Sequence, residues 1–149
     1  MFRLSIRSKD KLVGTKLPLI KVVNRAIDIT EVDFGVLEGF RFPKRQKELF
    51  DSGKTQTMNS KHLTGSAVDL VAYIGSEVSW EIEHYDKIAR AVQIVAKSRD
   101  VSIRWGGAWH IDNIADNIMH PAEMRKAYIQ LRKSQGRKPF VDGVHFELS

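Results

Sequence analysis

The sequence predicts an α+β domain, with a single small antiparallel sheet flanked by helices. Three observations predict it. Four stretches carry apolar residues at helical spacing or helix-start signals, and four short stretches read as strands. The two kinds follow one another in mixed order. The 149 residues hold no internal repeat and no Pro/Gly/Ser linker, so residues 1–149 are expected to form one domain.

The first helix is expected from about Leu17 to Asp28, with Leu19, Ile20, Val23, Ala26 and Ile27 on one face and Lys21 and Arg25 on the other. Phe34 to Phe40 reads as a short strand. Pro43 suits the first turn of a helix through about Phe50. Asp51 to Ser60 is polar and contains glycine, so a loop is expected. Ala67 to Ile74 is a buried strand. Ser79 is expected to cap a helix running to about Lys97, with Ile82, Tyr85, Ile88, Ala89, Val92 and Val95 inward. Val101 to Trp105 reads as a strand, stopped by Gly106-Gly107. A further amphipathic helix is expected from Pro121 to about Lys133. Val144 to Leu148 alternates and should be the last strand.

Composition narrows the chemistry. Hydrophobic residues make up 42% and charged residues 28%, as in a globular domain. No stretch reaches the roughly 18 apolar residues of a membrane helix, so no stable membrane insertion is expected. The first residues lack an apolar run with a small-residue cleavage site, so synthesis in a cytoplasm is expected. Cysteine is absent, which excludes disulfides, thiolate metal sites and a cysteine nucleophile. Any metal must be held by histidine and carboxylate. The formal charge of +6 favours a polyanionic partner, whether a cell wall, an anionic membrane surface or nucleic acid. No arginine-rich or aromatic-interleaved basic motif favours nucleic acid, and none is expected as partner.

Two segments carry the candidate chemistry. In Ser60-Lys-His-Leu-Thr-Gly-Ser-Ala-Val-Asp69 a histidine leaves a polar loop and an aspartate lies among Val68, Leu70 and Val71. A carboxylate buried there is costly unless paired or bound to metal. A solvent-facing strand-end Asp is the other reading. In Asp142-Gly-Val-His145-Phe-Glu147 a second histidine stands in an apolar strand, three residues after a carboxylate. Two histidines and one carboxylate make an open zinc site, with a fourth position left for water. A nearby carboxylate can then take the water's proton. Glu147 shares the side of His145 by strand alternation and is a candidate to orient it. Taken singly, each histidine also fits a structural role.

The pattern Ser-x-His-x-x-Gly-x-Ala-x-Asp, with a carboxylate-x-x-His near the C-terminus, resembles the D-Ala-D-Ala carboxypeptidase and VanY-like metallopeptidases. More narrowly, the chain resembles the L-alanyl-D-glutamate endopeptidases of bacteriophage endolysins. Trp105-Gly-Gly-Ala-Trp109 is similar to their Trp-Gly-Gly-x-Trp segment, and Glu38-Gly-Phe-Arg41 to the strand that ends in a substrate-binding arginine. The resemblance runs from about Leu17 to Leu148. It implies a hedgehog/DD-peptidase-like fold with the zinc site at the sheet. It implies His62, Asp69 and His145 as Zn2+ ligands and Asp142 as the base. Arg41 would hold a carboxylate or steady the oxyanion, and Ser60, Trp105 and Trp109 would join it in binding substrate.

The expected substrate is the stem peptide of bacterial peptidoglycan, cut by a monomeric enzyme that acts on the wall after release from the host cytoplasm. A D,D- or L,D-carboxypeptidase and a non-catalytic zinc-containing wall-binding module are the rival readings. Two departures stand out. Asp142-Gly-Val replaces a frequent Glu-Pro-Trp, and Ala108 stands where an acid is frequent. Residues 110–120 have no clear counterpart and suggest an insertion shaping the cleft. His110 and Asp112 suggest a weak second metal pair, His84 a partly exposed helix residue, and His120 a loop or cap residue.

Overall fold

The computed structural model describes residues 1–55 and 57–149. The chain runs α1 (Ile6–Lys11), α2 (Leu17–Ile29), β1 (Asp33–Glu38), α3 (Pro43–Asp51), β2 (Ala67–Ile74), β3 (Glu77–Ser79), α4 (Ile82–Ser98), β4 (Ile103–Trp105), α5 (Pro121–Ser134) and β5 (His145–Leu148). The strands form one antiparallel sheet in the order β1-β2-β5-β4, with β3 paired to β2. An α+β fold with a small antiparallel sheet flanked by helices is what the sequence predicts.

Helices α2 and α4 cover one face of the sheet. Leu19, Val22, Val23, Ala26 and Ile27 of α2 are buried, as are Ile88, Ala89, Val92, Val95 and Ala96 of α4. They pack in one cluster with Val36, Val68, Leu70, Ala72, Trp105 and Phe146 of the sheet. Strand alternation therefore turns Asp69 to the opposite face. Register does the rest. Glu38 of β1, Asp69 of β2 and His145 of β5 lie on one rung across three strands. Directly opposed side chains sit about 5 Å apart, within reach of each other. The polar site is thus a rung of the sheet whose other face is the core.

Several expectations change here. Ser79 lies in β3, and Glu81, whose side chain makes no capping bond, precedes α4. The short helix α1 and the strand β3 carry no clear periodicity in sequence. Trp105 is fully buried, stacked on Phe146 and donating its Nε1–H to the Gly143 carbonyl oxygen at 2.8 Å. It is core, not substrate cleft. Its neighbours in sequence had suggested otherwise, because an indole suits both roles.

Residues 110–120 do not shape the cleft. Ile114 and Ala115 are buried in the core, and the buried Gln93 side chain of α4 donates to the carbonyls of Ile114, Asn117 and Met119. Backbone carbonyls excluded from water need donors, and the two N–H bonds of one amide are shared among three of them. His120 accepts from the Ala122 N–H at the start of α5, a cap as expected.

Candidate metal centre

His62 opens the site from a 3₁₀ turn spanning Lys61–Thr64. Ser60 starts that turn, and its hydroxyl accepts from the His62 N–H at 3.2 Å. Gly65 ends it at φ 71°, in the left-handed region that glycine adopts without strain. A Cβ on Gly65 would also overlap the Gly14 carbonyl. The glycine of the motif is therefore required twice, by its backbone angle and by its neighbour. The turn then feeds β2, which carries Asp69.

The histidine tautomers follow from their partners. His62 Nδ1 lies 2.8 Å from the Gly39 carbonyl oxygen. A carbonyl only accepts, so Nδ1 carries a proton, and in the neutral ring the lone pair falls on Nε2. That Nε2 stands 3.3 Å from Asp69 Oδ1. His145 approaches the same oxygen with Nδ1 at 3.2 Å, and its Nε2 meets Glu147 Oε1 at 2.9 Å. Two imidazoles thus converge on one carboxylate oxygen, with ring centroids 5.2 Å apart. The three candidate ligand atoms all lie within 4.8 Å of one another. Among the described residues this is the one group of three or more such side chains that could hold a metal. His110 instead stacks on Tyr128.

The far nitrogen of each histidine has a fixed acceptor, Gly39 for one and Glu147 for the other. Metal-binding histidines are commonly held this way, because the outer bond sets both tautomer and ring orientation. The donor set fits a divalent ion: two imidazole nitrogens, that of His145 once its proton is displaced, and a carboxylate, converging and largely buried.

The charges around this point are unbalanced. Burial alone would raise Asp69, yet its hydrogen bonds to His145 and His62 hold it well below the usual carboxylate range. Burial alone would lower His145, yet hydrogen bonds to Asp69 and Glu147 push it up to about 9. Asp142 is raised by burial, and further by the negative charge of Asp69, against the pull of both histidines. A carboxylate shifted upward beside a polar cluster is the pattern of a group prepared to take a proton.

These residues line a cleft of about 770 Å3. Ser60, His62, Asp69, Asp142, His145 and Glu147 form its floor, and Trp109 and Phe140 stack at 6.5 Å on its wall. Arg41 also lines the cleft, but its guanidinium is engaged. It donates through Nε and Nη2 to Glu38 at 2.8 and 2.7 Å, and through Nη1 to Gln46 Oε1 at 2.7 Å. Three of its five N–H groups are used, and two remain. The structure thus brings His62, Asp69, Asp142, His145, Arg41, Ser60 and Trp109 together and leaves Trp105 behind. Sequence reasoning missed Glu38 and Gln46, which hold Arg41. Strand alternation from the buried Val36 would send Glu38 into the core, and it is the register shift between Val36 and Glu38, which the local pattern does not encode, that sets Glu38 beside Asp69 on the cleft face.

The family model described as phage L-alanyl-D-glutamate peptidase matches residues 1–149. The L-alanyl-D-glutamate peptidase of Escherichia phage T5 is 26% identical over 113 residues, covering 73% of this chain and 82% of that protein. The enzyme of the same name from Listeria phage A118 is 36% identical over 80 residues, covering 52% of this chain and 27% of that protein. The crystal structure of the Serratia marcescens L-Ala D-Glu endopeptidase ChiX superposes with a TM-score of 0.74 at 33% identity, over 99% of this chain and 90% of that one.

Proposed function

The chain belongs to the phage L-alanyl-D-glutamate peptidase family, and from that membership we propose that it is a zinc-dependent endopeptidase cutting the L-alanyl–D-glutamate bond of the peptidoglycan stem peptide. Residues 1–149 act as one catalytic unit and as a monomer, at the host cell wall. The convergence of His62 Nε2 and His145 Nδ1 on Asp69 Oδ1 carries this reading. Zinc bonds of about 2.0–2.1 Å in a tetrahedron set neighbouring ligand atoms roughly 3.3 Å apart. The two spacings here, 3.3 and 3.2 Å, support that ion.

When bound, the metal supplies a Lewis acid that polarises the scissile carbonyl and acidifies water near neutral pH. Asp142 takes the water's proton on its carboxylate. Its upward shift brings it nearer the working pH, where a base is most effective. The same carboxyl then returns the proton to the departing D-glutamate amine. Arg41, held by Glu38 and Gln46, offers its two remaining N–H groups to the substrate. Ser60 fixes the backbone of His62, and Trp109 walls the cleft.

Digestion of purified peptidoglycan tests the reading. New N-terminal D-glutamate is the expected product, lost on treatment with a chelator and restored by zinc. Release of free D-alanine alone would instead make the protein a carboxypeptidase.

A further inference from the structure

Lys61 stands directly before His62 in sequence, yet its side chain leaves the turn that carries it. Its Nζ donates to the Leu148 carbonyl oxygen of β5 at 2.5 Å and lies 3.2 Å from Glu147 Oε2. The other oxygen of Glu147 meets His145 Nε2 at 2.9 Å. Lys61, Glu147 and His145 therefore form a chain of three groups. It ties the segment holding one candidate ligand to the strand holding another.

Glu147 needs that tie. Its carboxylate is buried on the same face as Asp69 and the cleft's other acids. Like charges at close range favour a side chain that swings away. Arg104 faces Glu147 across the β4–β5 ladder, but its guanidinium donates to the Trp109 carbonyl oxygen. Among the described residues, Lys61 is the one Lys or Arg paired with Glu147. Both Glu147 oxygens are then occupied, and the carboxylate is held where it can accept from His145 Nε2–H. With the Nε2 proton fixed there, an ion that displaces the Nδ1 proton would meet the His145 Nδ1 lone pair already aimed at the metal position.

We propose that Lys61 is a positioning residue for the metal centre, acting through Glu147 on the orientation of His145. The inference rests on the site holding a metal, as argued above. Lys61 touches neither the ligand atoms nor the reacting bond in this role. It acts by locking the two halves of the site at one spacing, so that the ligands are preformed before the ion arrives.

Metal affinity is the direct readout. Apo protein is titrated with Zn2+ against a competing chelator, for the wild type and for Lys61→Met, Lys61→Arg, Glu147→Gln and the Lys61→Met/Glu147→Gln double variant. Lys61→Met keeps the stem and removes the ammonium. It is expected to weaken binding about tenfold, the low end for an outer partner of a ligand. Lys61→Arg should restore binding to near wild type. The double variant should bind no more weakly than Glu147→Gln alone, because both changes cut one chain. Melting of the apo forms should differ little between wild type and Lys61→Met. Wild-type affinity in Lys61→Met overturns the proposal, as do losses that multiply in the double variant, or failure of Lys61→Arg to rescue. A wild type that binds no divalent ion removes the metal reading itself, a distinct result.

Discussion

Asp69 and Asp86 are both carboxylates drawn into the interior, and they are completed in opposite ways. Asp86 on α4 is 4% exposed, and both its oxygens accept from Arg125 of α5, through Nε and Nη2, at 2.8 Å each. One anion meets one cation in a bidentate pair, and no charge is left over. Asp69 faces two imidazoles, with Asp142 close enough to feel its charge. Glu38 and Glu147 beside them are paired with Arg41 and Lys61, but among the described residues neither Asp69 nor Asp142 is paired with a Lys or Arg. The closed pair is a strut between two helices. The open cluster is a place prepared for a further positive charge.

Substitutions at the two places should therefore fail differently. Asp142→Asn should lower the rate of peptide cleavage by about 10²–10⁴-fold while leaving metal content intact, as measured by product release and elemental analysis. Asp86→Ala should leave metal content intact too, but strand Arg125 and lower the unfolding free energy by roughly 3–5 kcal/mol, read by denaturant titration. Loss of metal in Asp86→Ala would erase the distinction between strut and site.

A pH titration separates them further. His145 rises from its ordinary 6.5 to about 9 in the metal-free fold. The stabilisation this gives the apo protein is complete below about 6.5 and is lost as pH climbs through about 9. Asp69 is depressed, so its contribution is present above 3.8 and falls away in acid. Apo protein should thus be most stable between these limits. Zinc must displace the His145 proton, so apparent zinc affinity should climb with pH up to about 9. Calorimetry in buffers of different ionisation enthalpy would count the released proton, and a count of zero at pH 7 would contradict the assignment.

The smallest effect sharpens the contrast between the two tryptophans. Trp109→Ala should raise KM a few-fold with a modest change in stability, because its ring walls the cleft. Trp105→Ala should instead cost about 3–5 kcal/mol, because its ring is buried in the core.

Much of this was legible in the sequence where one signal dominated. The strand Ala67–Ile74 has the predicted limits because its apolar run is continuous and bounded by turn residues. Asp69 stood out because a carboxylate within that run demands a partner. Asp86 did not stand out, since an acid on an amphipathic helix looks solvated until its partner, 39 residues away, is known. The short β3 forms by pairing with β2, which local pattern does not encode. Trp105 and Trp109 are four residues apart with like neighbours, and only the turn between them sends one inward.

That turn contains Gly106, whose N–H donates to the His145 carbonyl oxygen and whose carbonyl accepts from the Asp142 N–H, at 2.8 and 2.9 Å. A Cβ there would overlap the Asp142 carbonyl. The stretch bearing both the proposed base and a ligand thus rests against a residue defined by having no side chain. For anyone redesigning the cleft, Gly106 is a fixed bearing. Changes of bond preference must come from the walls around it, because even one methyl group at this point would shift the base and the ligand strand together.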